Sequence, residues 1–319
     1  MLTATLIEEA IEFLRPRIRQ TPVEPSPGLS KIAGVPVWLK LECLQITGSF
    51  KIRGAWFRMS RLTEAERRTG ILTCSAGNHG KAIAYAAREL GVAATICVPS
   101  SVDEAKYRGM MELGAEVRVA EFPGYDETED WAIAEAEREG RPFLSAFDDY
   151  AVMAGSGGSL AAEIMDAVPE ASTFVMPAGG GGLSAGFAFY AVNRARKSRI
   201  ICCQHRESPG LSLSMKAGRA ITRLPAVVTS AGGIEGGFGA RPFDVIRSYI
   251  GAVAEVSEAQ IEEGVRWMFD HHQYVIEPSS AAAVAAVLAY EAKMIESPAV
   301  VVLTGRNVSR KVLERILHG

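Results

Sequence analysis

Ile71-Leu72-Thr73-Cys74-Ser75-Ala76-Gly77-Asn78-His79-Gly80 sets the architecture of the chain. Its first residues, with Gly70 before them, form the short apolar run of a strand buried on both faces. A small polar turn follows and leads into residues 78–90, a helix with small residues along one face. Strand, turn and helix are the unit of an open parallel sheet, and the cadence continues in both directions. Downstream, strands at 93–98 and 115–119 alternate with helices at 101–113 and 125–139. Upstream, residues 3–15 read as an amphipathic helix stopped by Pro16 and 35–41 as a strand. Residues 49–61 read as a helix with Ser49 as its N-cap. The second half repeats the theme, with helices at 159–167, 182–193, 257–271 and 279–293, and strands at 173–176, 199–203 and 299–303. The alternation predicts an α/β fold of two open, mostly parallel units, with a crevice at the carboxyl ends of their strands.

Composition excludes several classes. The chain has 319 residues, 48% hydrophobic and 22% charged, enough for a full core, and no repeat or low-complexity tract interrupts it. A net charge of -3 without a lysine or arginine run argues against nucleic acid as a partner. The longest apolar stretch, 281–290, is far short of a bilayer span, and the first ten residues carry acids where a signal peptide would be basic. Five cysteines (Cys43, Cys74, Cys97, Cys202, Cys203) lack CxxC spacing and read as buried thiols of a reducing compartment. A soluble cytoplasmic protein without a membrane partner is expected.

Three turns that follow strands carry the chemistry. Pro177-Ala178-Gly179-Gly180-Gly181-Gly182-Leu183 has no Cβ to block an anion, and its N–H groups converge on a helix start. It matches neither GxxxxGK[ST] nor GxGxxG, which leaves a phosphate cradle or a close-packed turn, the cradle being the better reading. The turn 75–80 suits a carboxylate, with Ser75 and Asn78 as side-chain donors beside the N–H of Gly77, although the same residues also serve as plain helix caps. Thr304-Gly305-Arg306-Asn307 is the third turn. Lys51, in Ser49-Phe50-Lys51-Ile52-Arg53-Gly54-Ala55, would by itself pass for a solvated lysine. Buried near a phosphate cradle and a carboxylate site, it becomes an amine nucleophile suited to pyridoxal phosphate and an amino-acid substrate.

In order and spacing, these four segments resemble the threonine dehydratase and serine racemase family of fold-type II pyridoxal-phosphate enzymes (tryptophan synthase β-like), hydroxyectoine-utilisation dehydratase-like members included. The resemblance implies a large domain from 1–59 and 146–319, a small α/β domain inserted at 60–145, cofactor in the cleft, and a homodimer. It implies Lys51 as the Schiff-base lysine and the base at Cα, Phe50 beside the ring, and Asn78 on the cofactor's 3′-oxygen. Gly179, Gly180, Gly181, Gly182 and the Leu183 N–H would hold the phosphate, and Thr304 would face the pyridine nitrogen. Ser75 and the backbone of Ala76, Gly77 and His79 would bind the substrate carboxylate. Glu277, in Ile276-Glu277-Pro278-Ser279, also matches a family motif.

The departures narrow the reading. Racemases of the family carry a serine as second base where this chain has Ala76, which favours elimination. Relatives bind a divalent cation through positions matching Gln204, Ser208 and Gly210. Two anionic ligands are missing, so no metal site is expected, and His205 and Glu207 read as solvated loop residues. The segment 229–239 is glycine-heavy, with Gly232 and Gly233 where relatives read differently and the acid moved to Glu235. Arg306 stands where relatives have a small residue, so it either pairs with a substrate carboxylate or points to solvent. Ala154-Gly155-Ser156-Gly157-Gly158-Ser159 reads as a loop one residue longer than usual. The expectation is an ammonia-lyase releasing a 2-oxo acid and ammonia from L-threonine or L-serine. The alternatives are a dehydratase for hydroxyaspartate, phenylserine or a hydroxyectoine-derived substrate, a serine racemase, or a non-catalytic protein that binds a phosphorylated metabolite.

Overall fold

The computed structural model describes residues 1–102, 104–194, 198–290, 294–295 and 298–319. Two sheets organise it. The larger has six strands in the order β1-β2-β9-β6-β7-β8, and the smaller three in the order β3-β4-β5. The strands are β1 (Val23–Pro25), β2 (Val37–Lys40), β3 (Ile71–Cys74), β4 (Ala94–Val98), β5 (Glu116–Val119), β6 (Thr173–Pro177), β7 (Arg199–His205), β8 (Ile250–Val256) and β9 (Ala299–Val302). Only β1 pairs antiparallel, with β2; every other pair is parallel.

The large sheet is covered on both faces, which explains its unbroken apolar strands. Phe174, Met176, Ile200, Cys202, Val300 and Val302 join one core cluster, while Val175, Ile201, Cys203 and Val301 join the other. That split is the period-2 alternation of a strand, with helices packed on each side. Because β2, β9, β6 and β7 run parallel, the loops after them gather along one edge: 41–50, 303–307, 178–182 and 206–210.

Several expected elements appear with little change. The helices Asn78–Leu90, Tyr125–Glu139 and Ser159–Ala167 have the expected ends. The expected 101–113 helix is shorter, Glu104–Met111. The last residues of the expected 279–293 helix, 291–293, lie outside the described residues, and the helix is Pro278–Tyr290. Ser49 is not a cap. The helix is Lys51–Ser60 with Phe50 at its N-cap, no side chain caps it, and Ser49 instead forms a backbone bridge with Gly305.

The stretch 154–159 is no loop either. Ala154–Gly158 is a π-helical turn between the helices Tyr150–Met153 and Ser159–Ala167, all of it buried. One inserted residue inside a helix is what a π turn accommodates. Its glycines allow backbone-to-backbone packing. A Cβ on Gly157 would sit 2.0 Å from the Leu183 carbonyl, and one on Gly155 would sit 2.8 Å from the Arg53 carbonyl. This segment is wedged between the Lys51–Ser60 helix and the Gly182–Asn193 helix.

Candidate active site

Lys51 opens its helix at the edge where the loops gather. Its Nζ donates to the Ala146 carbonyl at 3.1 Å and lies 5.4 Å from the centroid of the Phe50 ring. Burial lowers the amine to about 8, against which the charge of Glu277 pulls it back up. A fraction of Lys51 is therefore a neutral nucleophile at physiological pH.

The four glycines follow β6 and form the approach to the Gly182–Asn193 helix. Gly181 is the N-cap at φ 93°, a left-handed conformation that favours glycine. The Ala185 N–H bonds back to the Gly181 carbonyl, so the N–H groups of Gly182, Leu183 and Ser184 precede the first helical bond. Donors and dipole point at one place, a fit for a phosphate. Phe147, adjacent to the carbonyl that Lys51 binds, lies against this loop; a Cβ on Gly180 would be 2.3 Å from its ring. Phe238 covers Gly181 in the same way.

The 75–80 turn has the same construction. Asn78 starts the helix after Gly77, and the Lys81 N–H makes the first bond back to the Gly77 carbonyl. This leaves the N–H groups of Asn78, His79 and Gly80 ahead of the first intrahelical bond, at the positive end of the helix dipole. Ser75 is buried, and its Oγ accepts the Gly77 N–H at 3.2 Å. Ala76 carries only a methyl group. His79 is buried near the Leu144 carbonyl without a regular hydrogen bond at either ring nitrogen. Burial, reinforced by the charge of Lys51, lowers it to about 3, so it stays neutral across physiological pH.

A hydrogen-bond chain fixes the Asn78 amide. Asn78 Oδ1 accepts from Asn307 Nδ2 at 2.6 Å, and Asn78 Nδ2 donates to Glu277 Oε1 at 2.6 Å. Asn307 also donates to the Thr47 carbonyl and accepts from Lys81 Nζ. Thr304 is buried, and its carbonyl accepts the Phe50 N–H at 3.0 Å. A Cβ on Gly305 would press on the Glu277 carboxylate, so a side chain there would displace the group that holds Asn78. The Arg306 N–H bonds the Gly48 carbonyl while its side chain is exposed.

The glycine-rich segment borders the cradle. The Gly233 carbonyl packs on Gly179, the Gly233 N–H bonds Ser279 Oγ, and Gly232 is exposed. Glu235 does not face the site; its Oε1 accepts the Val227 N–H at 3.1 Å. His205 corrects the expectation of a solvated loop residue. It ends β7, is buried, and places Nε2 3.2 Å from Glu258 Oε2. Gln204 is buried beside it, with Nε2 donating to the Ala178 carbonyl and Oε1 accepting from the Leu211 and Ser212 N–H groups. That amide ties the root of the tetraglycine to the next loop. Among the described residues, no group of three or more His, Cys, Asp or Glu is placed to hold a metal ion. Phe147 and the Ala146 carbonyl escaped the sequence reading, as did the tying role of Gln204, because nothing local distinguishes a core aromatic, a buried amide or a backbone acceptor.

A parallel sheet edge with a softened lysine, a glycine cradle at one helix start and a second helix start for a carboxylate defines a pyridoxal-phosphate enzyme. The chain belongs to the family of pyridoxal-phosphate dependent enzymes, whose model matches residues 14–305. It is 33% identical to an L-threonine ammonia-lyase of Thermotoga maritima over 100% of this chain and 79% of that protein. It is 31% identical to a serine racemase of Arabidopsis thaliana over 88% of this chain and 84% of that protein. Among solved structures, the processed form of threonine deaminase isoform 2 from Solanum lycopersicum superposes with a TM-score of 0.91 at 27% identity, covering 98% of this chain and 92% of that one.

Proposed function

We propose that the protein is an ammonia-lyase that removes the β-hydroxyl of a hydroxy amino acid, first L-threonine or L-serine, and yields a 2-oxo acid and ammonia. The observation that carries this reading is the pairing of Lys51, whose amine lies near 8, with Ala76 in the carboxylate turn, which offers no exchangeable proton. One base at Cα serves elimination, whereas inversion needs a proton delivered from the other side. The T. maritima and S. lycopersicum relatives support the same assignment.

The site residues divide the work. Gly179, Gly180, Gly181, Gly182 and the Leu183 N–H hold the cofactor phosphate; Phe50, Asn78 and Thr304 orient its ring. The Ser75–His79 backbone and the Ser75 hydroxyl fix the substrate carboxylate and so direct the Cα–H bond toward Lys51. Bound pyridoxal phosphate supplies the electrophilic aldehyde and the electron sink for the pair left at Cα. Lys51 takes the Cα proton, the β-carbon–oxygen bond breaks, and the hydroxyl leaves as water after taking up one proton, which balances the proton that Lys51 removed from Cα. The released enamine tautomerises and takes up water to give the 2-oxo acid and ammonia. His79, held neutral, adds no positive charge beside the Lys51 amine.

The two sheets support a division into 1–59 plus 146–319 and an inserted 60–145. The five free, buried cysteines fit a cytoplasmic enzyme, and a homodimer is the expected assembly. The deciding assay incubates the enzyme with L-serine, L-threonine and hydroxyaspartate and follows 2-oxo acid, ammonia and D-isomer. Keto-acid release with ammonia in equal amount is expected. D-serine forming faster than pyruvate would establish racemisation instead, the activity named for the A. thaliana relative.

A further inference from the structure

Two residues beyond Lys51, on the same helix, Arg53 is completely buried. All of its N–H donors are engaged. Nε and Nη2 meet Glu42 at 2.7 and 2.9 Å, Nη1 and Nη2 meet Glu163 at 2.9 and 2.8 Å, and Nη1 reaches Ser159 Oγ at 3.2 Å. Lys40, also buried, closes the ring. Its Nζ lies 2.7 Å from Glu163 Oε2 and 4.0 Å from Glu42 Oε1, and it donates to the Thr21 carbonyl. Burial works to raise the Glu42 carboxyl, but Arg53 and Lys40 outweigh it and hold it below its ordinary value, so Glu42 faces them as a carboxylate.

A buried ion cluster is a poor source of stability, because well-packed apolar side chains would serve as well. Its particular property is direction. A filled guanidinium fork fixes where each partner sits. Glu42 lies just past β2, while Ser159 and Glu163 lie on the helix that continues from the π turn. That turn abuts the Gly182–Asn193 helix at Leu183 and Gly186, through Gly157. Arg53 therefore joins the helix that begins at the lysine to the helix that begins at the phosphate cradle, through a single intermediary.

We infer that the cluster of Arg53, Glu42, Glu163 and Lys40 is a positioning frame that sets the span between the Lys51 amine and the tetraglycine cradle. The inference rests on Lys51 being the amine that condenses with the cofactor aldehyde, a step that forms the C=N bond and releases water.

The test uses the holoenzyme, stripped of cofactor with hydroxylamine, in wild type, Arg53→Lys and Glu163→Gln. Glu163 is partly exposed, so its substitution keeps the test alive if Arg53→Lys does not fold. Two ligands are compared: pyridoxal phosphate, whose capture by the amine is followed by absorbance, and pyridoxine phosphate, which has the same phosphate and no aldehyde. Capture is expected to slow at least tenfold in the variants, while pyridoxine phosphate affinity changes less than threefold. Capture at the wild-type rate overturns the inference. So does a parallel loss of both with a lowered melting temperature, which marks a merely structural cluster. Borohydride reduction of the reloaded wild type, followed by peptide mapping, checks the premise separately: a label anywhere but Lys51 overturns the lysine assignment, and with it the inference, without any change in the variants' capture rates.

Discussion

Lys40 and Lys51 are two lysines set into the same wall of the protein, with opposite surroundings. Lys40 ends β2 with Glu163 and Glu42 around its amine and the Thr21 carbonyl completing the set. Lys51 has one carbonyl, from Ala146, and feels Glu277 only through its field. Lys40 is fully buried and Lys51 half-buried, so both are partly withdrawn from water. The supply of partners makes one a structural charge and leaves the other a softened base.

The contrast can be broken at either end. Removing the amine in Lys51→Ala should lower kcat by about 10³-fold or more, on the scale of losing a positioned acid–base group, and eliminate the borohydride-fixed label. Its melting temperature should not fall, because the substitution removes a poorly paired, half-buried amine. In Glu42→Ala the order reverses: Arg53 loses a partner it cannot replace, and denaturant unfolding should show a cost of about 3–5 kcal/mol. A Glu42→Ala protein as stable as wild type would mean that the cluster is solvated.

Between the two lies the cradle. Gly180→Ala drives a methyl group into the Phe147 ring and should cost about 1–3 kcal/mol of overpacking, read as weaker pyridoxine phosphate binding. Trimming the ring in Gly180→Ala/Phe147→Leu should recover part of it.

The last test is a pH dependence. In the cofactor-free protein Lys51 falls from an ordinary value of 10.5 to about 8, so between these values the unfolded chain binds more protons than the folded one. Stability should thus rise with pH across that window, and its Lys51 component should be lost as pH falls through 8. Lys51→Met should flatten the dependence, as measured by urea midpoints at a series of pH values.

Much of this was legible in the sequence, for identifiable reasons. The tetraglycine turn, the 75–80 turn and Lys51 announce themselves through glycine and polar residues placed directly after apolar runs. The helices at 78–90 and 125–139 have glycines just past their C-termini, Gly91 and Gly140, both in the left-handed conformation, so their ends are locally encoded. Arg53 was not legible as a core residue, because arginine belongs on surfaces by default and its partner Glu163 is 110 residues away. An arginine between Ile52 and Gly54 on a helix buried nearly all round was the available clue. β8 is exposed at Gly251 and buried only at Ala254 and Val256, so it lacks the fully buried run of β6 and went unread. Ser49 misled because its residue type suits a cap, whereas its backbone is committed to Gly305.

The π turn has one more consequence, for the tolerance of the gene to small insertions and deletions. Loss of a single codon between 154 and 158 would restore an ordinary α-helix, which in isolation is the better-formed structure. Each residue of such a helix turns the chain by about 100°. The deletion would therefore rotate Tyr150–Met153 relative to Ser159–Ala167, and the glycine faces could no longer meet Arg53 on one side and Leu183 on the other. A shortening that improves the local helix would dismantle a tertiary junction, so this buried segment should be among the least forgiving of length change.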